Sequence, residues 1–501
     1  MAQERFKTRG GFILASVGAA VGLGNALRFP GLCAKYGGGT FLFVYMLALI
    51  VMGVPILNAE IALGRKIRGG APKCISSLSK KAEPLGWASC FNSLIVAIIY
   101  AGLLGWIISM AIKIAPLSMA KQGAAQNSAG GYFFSEVLKG GGISPLVLVC
   151  GIVGWAVMYF CLRGGAASLS KTAKFTVIIP MVLLTFMAVR GLLYSNSGEA
   201  LRALFVPDFK AFLSAELWLN ALGQVFFSLS ILVGIMPAYG AYLPEGTNIF
   251  RDSIIIAAAD FFVSVLSSVV LFTTLYGCGM QGQISQSGIV TAFIIYPVAI
   301  TKFSPSAVLN AIVGVLFYLS LAMMATQSAV SMAEAAANPL AEKFAIKKRR
   351  IVGVITLVGA AVCVIFATPI AETALDIADH FANYFNILFL GIAECILLGR
   401  KAKDIGLVGE INRYTRRAKM PAKAFNFSLK FLCPAVLTFL TAWAVYHLIF
   451  IEHVKYAGYP LWAQAAFGWL VSVIVFSSGF VIKLVARRKR KTEISVKKLS
   501  L

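Results

Sequence analysis

Apolar stretches of about 20 residues recur from one end of this chain to the other, each long enough to cross a hydrocarbon core of roughly 30 Å. The 501 residues are 59% hydrophobic and only 13% charged, with a mean hydropathy of +0.83. A water-soluble domain cannot present that composition to solvent, so lipid is the medium in which the chain folds. Barrel strands need only about ten residues, and these runs are too long for them. The expected fold class is an all-α polytopic membrane protein with about twelve transmembrane helices. The spans read as 11–34, 38–63, 88–114, 144–163, 173–194, 217–242, 252–278, 306–336, 351–370, 375–399, 426–450 and 461–486.

The formal charge of +25 raises nucleic acid as a partner, yet the basic residues fall in alternate short loops and not on one folded face. One set of loops holds Arg65, Lys66 and Arg68, then Lys343, Lys347 to Arg350, then Arg413, Arg416 and Arg417, and ends in the tail Arg487 to Lys491. The intervening loops 117–143 and 280–300 are poor in Lys and Arg. The positive-inside rule then places both termini in the cytoplasm and the chain in a cell membrane as a multi-pass protein, a bacterial inner membrane being expected. Arg5, Lys7 and Arg9 precede the first span in the manner of a signal peptide. That span is too long for one and is read as a retained helix. Nine scattered cysteines form no CxxC pair, and His380, His447 and His453 have no metal spacing. No phosphate loop, nucleophile elbow or haem motif is present, and the chain is not read as an enzyme.

Two spans are abnormal. The first carries Gly18, Gly22 and Gly24 followed by Asn25, Arg28 and Pro30, which oppose a continuous helix and set a charge inside it. The sixth carries Ser228, Ser230 and Gly234 with Pro237 beyond. Breakers one five-span unit apart point to inverted repeats with a binding site between the interrupted helices. One integral domain over 1–501 follows: an N-terminal 1–10, a first repeat with span six over 11–242, the rest of the second repeat over 252–399, spans eleven and twelve over 426–486, and the basic tail 487–501.

Gly11 to Ala15, Ala20-Val21-Gly22-Leu23-Gly24-Asn25, Arg28-Phe29-Pro30, Gly37 to Gly39 and Ala62 to Arg65 closely resemble the opening of the neurotransmitter:sodium symporter family, in its bacterial amino-acid transporter type. Gly223 to Ser230 and Arg251-Asp252 continue the likeness, which covers nearly the whole chain. The resemblance implies the leucine-transporter (LeuT) fold, a 5+5 inverted repeat plus two further helices. It also implies a sodium-coupled secondary symporter of a small or aliphatic amino acid working by alternating access.

Carried over by position, a first sodium site would use the Ala20 carbonyl, Asn25, Ser228 and Asp260, completed by the substrate carboxylate. A second would use the Gly18, Val21 and Met324 carbonyls with Ser328, and Gln327 stands where the family usually has Thr or Asp. Such sites suit a hard cation, which takes oxygen ligands. Chloride-dependent relatives have Asn at the Asp260 position and hold chloride near the counterparts of Tyr45, Gln224, Ser228 and Ser264. A carboxylate there supplies the negative charge itself, so no chloride is expected, and Asp260 is a candidate to take a proton on the return step.

Monoamine carriers of the family place an Asp where this chain has Gly22, filling the space of an amino-acid carboxylate. Gly22 leaves that space for a carboxylate held by the Leu23 and Gly24 amides and the Tyr100 hydroxyl, with carbonyls around Ala20, Phe227 and Ser230 receiving the ammonium. Val96, Phe227, Val233, Ser328 and Met332 would line the side chain. Ser230-Ile231-Leu232-Val233 lacks a glycine common in amino-acid members, which favours Ala, Gly, Ser, Val or Leu over Trp. Arg28 and Asp379 match the extracellular gate with Phe227 as its lid. Tyr242 and Glu342 match the cytoplasmic gate, where Gln3 and Phe6 replace the usual Arg and Trp and Arg5 stands in for the arginine. Glu60 and Glu394 match family acids inside spans, Glu60 being expected to receive hydrogen bonds from the broken helices. The competing readings are an amino-acid-sensing receptor without transport, a carrier of a larger aromatic amino acid, a proton-coupled permease of the same fold class and an ion channel.

Overall fold

Hydrocarbon offers no partner to a peptide N–H or C=O, so a spanning chain satisfies its backbone within each helix. The structure is a computed structural model describing residues 5–120, 129, 131–138, 142–281, 288–415, 419–451 and 456–499. Gln3, Arg416, Arg417, His453 and parts of both Lys-poor loops lie outside the described residues. Among the described residues the regular structure is helical apart from an isolated antiparallel bridge between Gly38 and Pro207.

Among the described residues ten helices are continuous and apolar enough to cross a membrane: Gly39–Ile67, Lys80–Met119, Pro145–Leu162, Gly165–Leu192, Ile249–Gly277, Ala307–Phe344, Lys348–Ala367, Ala371–Lys401, Ala422–Phe450 and Leu461–Arg488. They correspond to the expected spans two to five and seven to twelve. Spans three and eight run longer than their apolar cores, because a helix can continue into water where its ends carry charge. The remaining two spans are the two marked by helix breakers. Span one is a pair, Arg9–Ala20 and Gly24–Lys35, bent by 48°. Span six is a pair, Ala215–Ser228 and Ile235–Ala241, separated by the non-helical stretch 229–234.

Consecutive spans alternate in direction. Span one runs away from the basic end that holds Arg9, and span six runs back toward it, so the two broken helices lie antiparallel at the head of each five-span unit. Spans three and eight pack on one another along much of their length beside them.

Small residues let the broken helices come close to their neighbours. A Cβ on Gly64 of span two would stand 3.0 Å from Pro237 Cα in the second half of span six, and closer to that residue's carbonyl. Reciprocally, a Cβ on Gly240 would stand 3.0 Å from Ile61 Cα. Backbone against backbone cannot yield, which is the small-residue packing that replaces hydrophobic drive inside lipid. Arg65 ties the same region down, with Nε 2.6 Å from Glu410 Oε1, Nη1 donating to the Thr247 carbonyl at 2.7 Å, and Nη2 donating to the Glu410 carbonyl. Gly64→Val should therefore lower the melting temperature of the detergent-purified protein, at a cost of about 1–3 kcal/mol from overpacking. A scan of wild type and variant side by side checks it.

Candidate functional site

Each break is held open by side chains from its neighbours. In span six the chain visits left-handed backbone at Ser230 (φ 53°), Leu232 (φ 65°) and Gly234 (φ 76°). Two of these positions are not glycine, so the stretch stores strain that the surroundings must over-determine. Glu60 of span two accepts the Leu232 N–H at 2.8 Å, as expected of that acid. Ser93 of span three donates to the Val233 carbonyl at 2.5 Å, and Ser230 donates to the Ala19 carbonyl at 2.7 Å. The last contact joins the two breaks directly. In span one the helix stops at Ala20 and renews at Gly24, with Gly22 N–H donating to Asn25 Oδ1 at 3.0 Å. The N–H groups of the renewed first turn face the break. A Cβ on Gly22 would overlap Ser328 Oγ, so any side chain there would have to displace that hydroxyl.

Beside this break lies a wholly buried polar cluster. Asn25 Nδ2 is 2.7 Å from Asp260 Oδ1, 2.9 Å from Ser228 Oγ and 2.8 Å from Ser264 Oγ. Ser228 donates to Asp260 Oδ1 at 2.5 Å and Tyr45 donates to Asp260 Oδ2 at 2.8 Å. Gln224 donates to the Gly24 carbonyl at 3.3 Å. Asn25, Ser228 and Asp260 thus meet as one polar group from spans one, six and seven, Asn25 facing the other two with its amide nitrogen, with Ala20 at the adjacent helix end. Asp260, fully buried, has no cationic side chain within ion-pair distance among the described residues, and three hydrogen bonds stabilise its carboxylate instead.

A second cluster lies where spans one and eight touch. Gln327 packs on Gly18, whose Cβ would stand 2.7 Å from Gln327 Cγ. Gln327 Oε1 accepts the Thr176 hydroxyl at 3.0 Å. Gln327 Nε2 and Ser328 Oγ are buried without a hydrogen-bond partner among the described residues. Met324 of span eight and Val21 of span one are both buried.

Toward the end of the bundle away from the basic loops, a cavity of about 430 Å³ reaches down to the span-one break. Leu23, Gly24, Tyr100, Phe227, Arg28 and Asp379 all line it. No hydrogen bond or ion pair joins Arg28 to Asp379: Arg28 lies over the Phe227 ring at 5.8 Å, and Asp379 Oδ1 accepts from Asn383 Nδ2 at 2.7 Å. The expected gate pair therefore faces across an open cavity. Beneath Phe227 a much smaller cavity of about 10 Å³ lies between Val96, Ser230, Val233 and Met332, all expected there, and is completed by Ser93, Asn383 and Ile387. Ser328 does not line it and turns toward Gly22 instead.

The basic end is closed. Phe6 donates its N–H to the Tyr242 carbonyl at 2.9 Å, and its ring packs edge-on against Phe12, Tyr239 and Tyr242. Arg5 pairs with Glu245 at 3.1 Å, and Arg9 with buried Asp252 at 2.5 Å. Glu342, the expected gate acid, is exposed and accepts from Asn338. Its place in the seal is taken by Glu334, which accepts Tyr242 OH at 2.7 Å and pairs with Lys348 at 2.5 Å. Sequence reading passed over Glu334, although a lone acid inside an apolar span is itself a functional flag. It also passed over Asn383, one turn beyond Asp379 on the same helix face. Among the described residues no cluster of His, Cys, Asp and Glu is arranged to hold a metal ion by side chains alone.

The model of the Sodium:neurotransmitter symporter family matches residues 3–122 and 131–492. An uncharacterized sodium-dependent transporter of Methanocaldococcus jannaschii is 29% identical over 411 residues, 79% of this chain and 82% of that protein. The sodium-dependent neutral amino acid transporter B(0)AT2 of Mus musculus is 31% identical over 287 residues, 53% of this chain but only 39% of the mouse protein. Among solved structures, MhsT in complex with L-phenylalanine matches with a TM-score of 0.75 at 23% identity, covering 88% of this chain and 99% of MhsT, a likeness of fold. The leucine-transporter fold expected from the two broken spans is therefore the fold of this chain. With nearly its whole length matched by one family model, the chain belongs to the sodium:neurotransmitter symporter family.

Proposed function

We propose that this protein is a sodium-coupled symporter of a small α-amino acid that works by alternating access without chloride. The observation that carries the reading is the buried group of Asn25, Ser228 and Asp260 beside the span-one break, directly below the open cavity. The Asp260 carboxylate and Ser228 hydroxyl are hard ligands for sodium, joined by the Ala20 carbonyl and by Asn25 once its amide turns its oxygen inward. A substrate carboxylate over Gly22 completes the shell, taking hydrogen bonds from the first-turn amides at Leu23 and Gly24 and from Tyr100. Ion and amino acid then share one oxygen, so each raises the other's affinity. The relatives named as sodium-dependent transporters, one of them for neutral amino acids, agree with this assignment.

Chloride independence rests on Asp260, whose fixed negative charge makes an added anion redundant beside the cation. When sodium leaves toward the cytoplasm, a proton on Asp260 would relieve the bare buried charge for the return. At the second cluster Gln327 stands in place of the family's Thr or Asp, and its Oε1 is already engaged by the Thr176 hydroxyl. Coupling is accordingly assigned to the first site, with Gly18, Val21, Met324 and Ser328 short of one oxygen at the second. The narrow inner cavity favours small side chains over the aromatic one bound by MhsT. Closure brings Arg28 and Asp379 together above Phe227. Opening at the other end requires release of the seal around Phe6, Tyr242 and Glu334, with Arg5 leaving Glu245. Each elementary charge carried through the field contributes about 2.3 kcal/mol per 100 mV.

In thermal-shift binding to an amino-acid panel, small neutral amino acids should stabilise the purified protein in sodium and not in potassium, and gluconate in place of chloride should change nothing. Stabilisation equal in both cations, or by indole and phenyl side chains first, would overturn the reading. Asp260→Asn should weaken sodium affinity about tenfold or more, because a charged ligand becomes neutral. Gly22→Asp should abolish amino-acid binding by filling the carboxylate space, read in the same assay with the variant's own melting temperature as the folding control.

A further inference from the structure

The inner cavity below Phe227 has an unusual polarity, which deepens the transport reading and rests on it. Three of its lining residues are polar: Ser93, Ser230 and Asn383. Both serine hydroxyls have already given away their hydrogens, Ser93 to the Val233 carbonyl and Ser230 to the Ala19 carbonyl, so each offers the cavity only acceptor lone pairs. Asn383 Nδ2 donates to Asp379 Oδ1 at 2.7 Å, and a carboxylate accepts only, so the nitrogen branch belongs on that side. Asp379 lines the outer cavity alone, whereas Asn383 lines both. The oxygen branch is thus the one left for the inner cavity, and no hydrogen bond to Asn383 Oδ1 occurs among the described residues.

The position of Asn383 is built, not incidental. It lies in the π-helical segment Phe381–Asn386, and such segments leave a backbone carbonyl without its usual partner. Asn92 of span three fills that need by donating to the Ala382 carbonyl at 2.9 Å, while Asn386 donates to Asn92 Oδ1 at 3.1 Å and Ser472 to Asn386 Oδ1 at 2.9 Å. This chain of hydrogen bonds fixes the helix face that carries Asn383. A rigid support of this kind is what a selective contact requires.

From this geometry we propose that Asn383 is the specificity-determining residue of the side-chain pocket, its Oδ1 accepting a hydrogen bond from a hydroxyl on the substrate. The favoured substrate class is a small hydroxylated α-amino acid, serine or threonine, over its apolar isostere. A cavity of about 10 Å³ holds roughly one water-sized group, the size of the terminal hydroxyl on a short side chain. The same amide bridges substrate and Asp379, so an occupied pocket orients the acid that must meet Arg28.

Threonine and valine differ only by hydroxyl against methyl, and the ratio of their dissociation constants in sodium isolates this contact. Wild type should bind threonine about tenfold more tightly than valine, one well-placed hydrogen bond's worth, with serine over alanine in the same direction. Asn383→Leu should bring the threonine–valine ratio to near one or invert it, and Asn383→Ser, which keeps an acceptor, should retain part of it. A merely structural role for Asn383 would weaken both ligands alike and leave the ratio where it was, which would overturn the proposal. Equal binding of threonine and valine by wild type would overturn it too, while leaving sodium-coupled amino-acid binding standing. If no amino acid stabilises the protein in sodium, the transport reading falls and takes this inference with it.

Discussion

Backbone that is not helical inside lipid must find its hydrogen bonds elsewhere, and much of this molecule is arranged around meeting that demand at three places. Leu232 N–H goes to Glu60, the Val233 carbonyl to Ser93, and the Ala19 carbonyl to Ser230. Asn25 takes the Gly22 N–H, and Asn92 satisfies the Ala382 carbonyl in span ten. Glu60, Ser93 and Asn92 come from spans two and three, outside the broken helices. Those spans act as a frame whose buried polar side chains stand in for the missing helical bonds.

What the frame exposes is a set of oriented polar groups with little strain relief available. Left-handed Ser230 and Leu232 have no glycine to ease them, and they persist because neighbours fix both sides of the break. The result is a floor of polar side chains around Asp260, beneath a cavity open at one end only. At the other end the aromatic packing of Phe6, Tyr239 and Tyr242 and the Glu334–Lys348 pair close the path. One end open and one shut is the asymmetry that alternating access exploits.

The two broken spans were legible because their signals are local: glycine, asparagine, arginine and proline crowded into one apolar run speak for themselves. Asn25, Ser228 and Asp260 were also legible, since motif position in a shared fold carries their neighbourhood. The cytoplasmic seal was not. Glu342 holds the family's gate position yet faces out, while Glu334, two turns earlier in the same helix, takes Tyr242 and Lys348. Which of two acids on a helix reaches a partner depends on where Lys348, beyond the helix end, folds back, and no periodicity encodes that. Gln327 likewise announced a departure in the sequence, but only packing reveals that its amide lies against Gly18 and Thr176.

By itself the sequence determined the solvent, the apolar spans, the two interruptions and the residue types available between them, because hydrophobic run length and helix-breaking residues act over a few neighbours. Only the tertiary structure decided which orphaned backbone groups meet which side chains, that Arg28 and Asp379 stand apart while the opposite end is sealed, and that Asn383 lies between the outer cavity and the inner one. The contacts that Ser93, Glu60 and Asn92 make link residues from about 140 to 290 positions apart in the chain, and their distances are set by helices packing in three dimensions.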